Sequence, residues 1–242
     1  MRVVTDIRAF FEETGRIAAF TARYFGVGFR PPYEMKELIF QCYTIGYRSF
    51  GLIALTSFII GLVLTLQLRP ELVDFGVESQ LPVMVGIAII REIGPVIAAL
   101  IFAGKIASSI GAELGSMKVT EQIDAMEVSG TNPFKYLVAT RVMACTLMLP
   151  LLIVMADAIA LGGAYIGVNI QGITSLTLFF SQVFHALDYN DVLPAIIKTF
   201  FFGFAVGIVG CYKGYSAAKG TRGVGNAANT AVVLASVVIF II

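Results

Sequence analysis

Four ionisable residues sit inside apolar runs: Arg91, Glu92, Asp157 and Lys198. A charge at bilayer depth is expensive and normally faces a partner, a cavity or a pathway rather than hydrocarbon. Arg91 and Glu92 lie eight and nine residues from one end of the run 83–104, Asp157 about eight from the end of 137–165, and Lys198 about seven from the end of 191–212. At about 1.5 Å of rise per helical residue, these positions share one layer on the outer half of the bilayer. Two positive and two negative groups in one layer can neutralise each other and hold a bundle together. They can also line a polar site for the head group of an amphiphile, or relay protons in an ion-coupled secondary transporter. Pro95 adds to this layer, because it has no N–H to offer the carbonyl of Arg91 one turn back.

A second concentration of polar groups occupies 113–141. It holds Glu113, Glu121, Asp124 and Glu127 together with Lys118, Lys135 and Arg141, between apolar runs on both sides. Val119, Ile123 and Met126 recur at helical spacing, and Phe134 and Leu137 follow the Gly-Thr-Asn-Pro break. The pattern predicts a short amphipathic helix near 120–130, capped by Thr120 and stopped near Gly130. Such a helix cannot bury its apolar face alone, so it lies on a membrane or docks into a partner.

Hydrolytic or redox chemistry finds no residues to work with. The single histidine, His185, has no neighbouring ligand types, and there is no Walker A motif, no Gly-x-Ser-x-Gly and no metal-ligand spacing. Cys42, Cys145 and Cys211 are odd in number and far apart, in or beside apolar runs, which reads as inert thiols rather than a disulfide framework. The chain is therefore not expected to be an enzyme, and any energy source comes from another protein or from an ion gradient.

The elements that must position these groups are membrane helices. The 242 residues are 57% hydrophobic and 14% charged, and about 20 apolar residues suffice to cross the hydrocarbon core. Spans are expected near 49–68, 83–104, 137–165 and 191–212. The final apolar run from Thr230 has thirteen residues, so a fifth span at 225–242 must start near Gly225 or be clipped. Arg69-Pro70 to Pro82 reads as a polar loop, and 169–190 as a polar-aromatic connector with room for a short helix. The N-terminus has no continuous apolar stretch of signal-peptide type. Residues 1–32 instead alternate Arg2, Arg8, Arg16, Arg23 and Arg30 with Val3, Ile7, Phe10, Phe11, Ile17, Phe20, Tyr24 and Phe25 at helical period, the pattern of an interfacial amphipathic helix ended by Pro31-Pro32. With the N-terminus in the cytoplasm, fourteen of the seventeen Lys and Arg fall on the cytoplasmic side, the distribution that the positive-inside rule selects. The polar segment 113–141 is then cytoplasmic.

Small residues stripe two spans. Ala99, Ala103, Ala107, Gly111 and Gly115 repeat every fourth position, and Gly203, Gly207, Gly210 and Gly214 mark the fourth span. Such faces allow close backbone approach, either within one subunit or across a sliding or homodimeric seam.

Three stretches together carry a resemblance: Arg-Glu-Ile-Gly-Pro-Val at 91–96, the long segment 111–133 from Gly-Ala-Glu-Leu-Gly through Val-Ser-Gly-Thr-Asn-Pro, and the Gly/Asn/Ala-rich stretch from Gly220 to Val233. They resemble the MlaE family, permease subunits of ABC-type phospholipid transporters that work with MCE proteins. Ala228-Asn229-Thr230 departs from the Ala-Thr-Thr expected there, and the family usually continues past the final apolar run. The resemblance implies an all-α polytopic protein of a bacterial inner membrane. It implies a homodimer, a cytoplasmic ATPase that uses ATP and Mg, a small STAS-domain protein, and a periplasmic MCE-domain hexamer. The transported phospholipid would occupy a pocket at the dimer interface and serve outer-membrane lipid asymmetry. The family's intramembrane charged positions match Arg91, Glu92 and Lys198, and no role carries over to Asp157. The segment with Glu121, Asp124, Glu127, Gly130 and Pro133 is also similar to the coupling motif of ABC importers. No nucleic-acid partner, metal or resident cofactor is implied.

Overall fold

The computed structural model describes residues 2–28, 31, 34–170, 172 and 174–242, with side chains from residue 11 onward. The side chains of Arg2, Val3, Ile7, Arg8 and Phe10, and the residues Arg30 and Pro32, lie outside that set. Among the described residues the chain is all α: α1 Arg2–Gly28, α2 Met35–Asp74, α3 Glu78–Val119, α4 Gln122–Val128, α5 Phe134–Asn169, α6 Leu176–Ala186, α7 Tyr189–Tyr215 and α8 Thr221–Ile241. Helices α2, α3, α5, α7 and α8, of 40, 42, 36, 27 and 21 residues, are long and apolar enough to cross a membrane. In lipid a helix satisfies every backbone group internally, which is why continuous apolar sequence adopts it. The protein is a multi-pass membrane protein.

Two expected boundaries move. The polar loop after Arg69 is helix instead: α2 runs through Pro70 to Asp74. Proline inside a helix removes one hydrogen bond, but Leu72 is buried beyond it, and Arg69 donates to the Val168 carbonyl at 3.1 Å and pairs with Glu78. The tertiary contacts outweigh the local break. The fifth span begins at Thr221 rather than near Gly225.

Helix α3 contains two π-helical turns, Ile89–Ile93 and Ala103–Ala107, and α5 opens with a third at Phe134–Ala139. At the first, the Gly94 N–H reaches the Ile89 carbonyl five residues back, and Pro95 follows with no N–H of its own. Single π turns concentrate at functional positions.

The chain divides into two compact units. One comprises Met1–Tyr43, Ala103–Cys145 and Phe204–Val237. In it α1 does more than face outward. Phe20 packs edge-on against Phe134 and Tyr212 with ring centroids 5.0 and 5.6 Å apart, Arg23 lies over Phe134, and Glu13 pairs with Lys213. Phe11 and Phe25 remain exposed. The apolar face of α1 thus divides between the chain's own helices and the exterior. The small-residue faces close within this unit: a Cβ on Gly111 would meet Ala227 and Ala228 at 3.2 Å, and one on Gly210 would meet Ala107 at 3.2 Å. For these residues the seam is intramolecular.

The other unit comprises Thr44–Phe102, Thr146–Gly203 and Val238–Ile242. Here α2 and α5 meet backbone to backbone. A Cβ on Gly61 would overlap the Ala160 carbonyl, and one on Gly163 the Phe58 carbonyl. Leu81, Val85, Ile89, Leu161, Phe179 and Val183 form part of a buried cluster that seats α6 on α3.

Candidate functional site

In the second unit the first π turn of α3 and the start of α7 bring four charges together. Lys198 Nζ donates to Glu92 at 2.9 Å, Arg91 lies 4.0 Å from Glu92, and Arg91 reaches Asp191 at 3.4 Å. The network is neutral, Asp191–Arg91–Glu92–Lys198. Its groups are not sealed: the side chains of Arg91 and Glu92 are 58% and 62% exposed, against 23% for Lys198. Pairs this open add little stability in water, so packing alone does not explain their presence on otherwise apolar helices.

The second acid of the network differs from the one expected. Asp191 supplies it, while Asp157 makes no ion pair among the described residues. Depth along a helix does not fix direction around it, and α5 turns Asp157 elsewhere. Its carboxylate rests on the backbone of Gly94, where any Cβ would overlap Oδ1, and that buried Oδ1 has no hydrogen-bond donor among the described residues. Asp157 lines a cavity of about 420 Å³ with apolar walls that include Ile90, Pro95, Ile153 and Leu161. Asp191 had a sequence signal: it stands seven residues before Lys198, two turns along one helical face.

The polar segment belongs to the first unit. Helix α4 is a single short helix fixed at both ends. Thr120 does not cap it: Thr120 closes the end of α3, where its hydroxyl donates to the Ser116 carbonyl, and the residue at the helix start is Glu121. Glu121 makes the turn instead, with φ 60° in the left-handed region that side chains disfavour. Lys118 then bridges back to Asp124 at 2.9 Å. At the far end the Thr131 and Gly130 N–H groups bond the Met126 and Glu127 carbonyls, with Gly130 at φ 80°. This pairing is the Schellman closure that a C-terminal glycine permits, so the Gly130 stop stands where the sequence predicts it. Ile123 is wholly buried, while Val128 is 91% exposed. Pro133 precedes α5 and Asn132 Oδ1 accepts from the Lys135 N–H. Behind α4, Arg141 is 3% exposed and donates to Glu113 at 2.7 Å and to the Leu137 carbonyl. Arg141 therefore clamps α3 to α5 on either side of α4.

Cys42, Cys145 and Cys211 are free thiols. Among the described residues no group of three or more His, Cys, Asp or Glu stands close enough to hold a metal.

The model of a known family, Permease MlaE, matches residues 38–242. The chain belongs to the MlaE permease family. A probable ABC transporter permease protein of Rickettsia felis is 38% identical over 233 residues, 96% of this chain and 90% of the relative. A probable ABC transporter permease protein of Synechocystis is 34% identical over 207 residues, 85% of this chain and 78% of the relative. The intermembrane phospholipid transport system permease protein MlaE of Haemophilus influenzae is 35% identical over 204 residues, 84% of this chain and 78% of the relative. The family match covers the charged network, the cavity and α4, and leaves α1 outside it.

Proposed function

We propose that the chain is the membrane-spanning subunit of an ABC-type transporter that moves phospholipid between a bacterial inner membrane and a periplasmic MCE carrier, and so maintains outer-membrane lipid asymmetry. The observation that carries this reading is the half-open network of Arg91, Glu92, Asp191 and Lys198 on apolar helices. It offers both signs of charge to a zwitterionic or anionic head group while neighbouring apolar surface accepts the chains. The Haemophilus relative is named for intermembrane phospholipid transport, which supplies the substrate class.

In this reading the N-terminus is cytoplasmic, and α4 with Glu121, Asp124 and Glu127 docks into a groove on a partner ATPase that binds ATP and Mg. Gly130 ends the helix and Pro133 restarts the chain, so closure of the ATPase moves a stiff knob with Val128 at its tip. Two copies of the chain, a STAS-domain protein and an MCE-domain hexamer complete the assembly. The chain itself catalyses no reaction.

The test is transfer of a fluorescent phospholipid from proteoliposomes holding the reconstituted complex to acceptor vesicles. Transfer is expected to require ATP hydrolysis and to survive an uncoupler, whereas a proton-driven carrier would show the reverse. Arg91→Ala with Lys198→Ala is expected to lower transfer at least tenfold with assembly intact. Undiminished transfer would refute the head-group role. Charge reversal at Glu121 or Asp124 is expected to abolish co-purification of the ATPase.

A further inference from the structure

We infer that the cavity between α3, α5 and α7 in the second unit is a binding site for a single-chain lipophilic amine, whose cation is held by Asp157. Asp157 Oδ1 is buried, and nothing among the described residues donates to it. A buried polar atom left unpaired is costly, and an ionisable group at membrane depth marks a site by default. Lys198 and Arg91, the nearby cations of the same layer, are already held by Glu92 and Asp191. Among the described residues no cation serves Asp157.

The surroundings bury Oδ1 without supplying it a donor among the described residues. Glycine, at position 94, is the one residue type whose backbone can lie against Oδ1 without collision. The next residue, Pro95, carries no N–H that could turn toward the carboxylate. The cavity walls are apolar, and Asp157 shares the lining with Asp188, an exposed second acid, and Thr199, a hydroxyl. Acids with no base and an apolar body select a cation on a hydrocarbon frame. A cavity of about 420 Å³ falls in the range of small-molecule sites, so we assign one chain and one ammonium group rather than a whole diacyl lipid. This site is distinct from the paired network, and it does not depend on the transported substrate being phospholipid.

The chain has no tryptophan, so Phe184→Trp at the cavity rim gives a single reporter. The full chain in phosphatidylcholine nanodiscs is titrated with dodecylamine, dodecanol and dodecanoate, which share length and differ in charge. Dodecylamine is expected to give a saturable fluorescence change at least tenfold tighter than dodecanol, with no saturation by dodecanoate. That ratio corresponds to one charge-assisted hydrogen bond. Asp157→Asn in the same background is expected to remove the amine preference, and Ala195→Phe, which fills the cavity, to remove saturable binding. Equal curves for amine and alcohol in the Phe184→Trp chain with Asp157 intact mean bilayer partition only and overturn the proposal, whatever the folding of the Asp157 variant. An unchanged amine preference in Asp157→Asn overturns the assignment of the cation to that residue. Displacement of dodecylamine by phosphatidylethanolamine added to the disc overturns the single-chain assignment, and its persistence supports it.

Discussion

Gly61 and Gly51 lie on the same helix and predict opposite responses to the same substitution. A methyl group on Gly61 lands on the Ala160 carbonyl of α5, closer than any real contact allows. Ordinary contact begins beyond 3.4 Å, so α2 and α5 must move apart by more than an ångström. That movement also loosens the reciprocal fit of Gly163 against the Phe58 carbonyl and of Gly167 against Thr65. Overpacking of this kind costs about 1–3 kcal/mol, and more when rigid backbone rather than a flexible side chain is struck. A methyl group on Gly51 would meet no atom within 4 Å. Alanine there only reduces the freedom of the unfolded chain, a gain of about 0.5–1 kcal/mol in a helix interior. The expected difference between Gly61→Ala and Gly51→Ala is about 1.5–4 kcal/mol, a factor of roughly 10 to 1,000 in the folding equilibrium. Denaturation of the purified chain in mixed micelles, followed by loss of helical circular dichroism, measures it. If both variants shift the midpoint in the same direction, or if Gly61→Ala is neutral, the α2–α5 backbone contact is not as described.

Glu121 at φ 60° predicts that Glu121→Gly leaves stability unchanged or raises it by up to about 1 kcal/mol, while Glu121→Val lowers it by about 1–2 kcal/mol. Thermal melts separate this backbone effect from any loss of ATPase binding. The Arg141–Glu113 clamp predicts an asymmetry, since Arg141 is buried and Glu113 half exposed. Glu113→Ala strands a buried cation and is expected to cost about 3 kcal/mol or more, whereas Arg141→Met leaves a carboxylate that water reaches and is expected to cost about 1–2 kcal/mol. Equal losses in chemical denaturation would count against the clamp. Burial first, and then the neighbouring Cys211, pushes the Tyr24 hydroxyl up to about 12. Its native form holds the proton more tightly than the unfolded form, so its contribution is complete below pH 10 and is lost as the pH rises toward 12. Tyr24→Phe is expected to flatten the stability profile over that interval, measured by alkaline denaturation.

The spans, the amphipathic N-terminal helix and the polar segment were legible because a bilayer imposes length and composition on sequence. The glycine stop at 130 was legible because its chemistry is local. Depth put Glu92 and Lys198 in one layer, but depth carries no azimuth. Asp157, at the same level, turned into the cavity, and Asp191, at the edge of its apolar run, entered the network through its place on the same helical face as Lys198. Pro70 misled because a proline signal is local and the contacts of Arg69 and Leu72 that override it are not. Thr120 misled in the opposite sense: it is a good capping residue, yet the chain places it at the end of α3 and puts Glu121 at the start of α4.

The π turn at Ala103–Ala107 bears on the stripe of small residues that passes through it. Four residues of ideal α-helix turn through about 400°, so a repeat of four slips by about 40° at each step. Over Ala99, Ala103, Ala107, Gly111 and Gly115 the accumulated slip would reach about 160°, enough to carry the last member nearly to the opposite side. All five are nevertheless buried. A wider turn holds more residues per revolution and rotates the stripe backward, cancelling part of the slip. The π turn thus acts as a phase corrector. It keeps one slender edge of α3 buried from Ala103 to Gly115, and removing a single residue from it would turn the side chains on its two sides about a quarter-turn relative to each other along the helix.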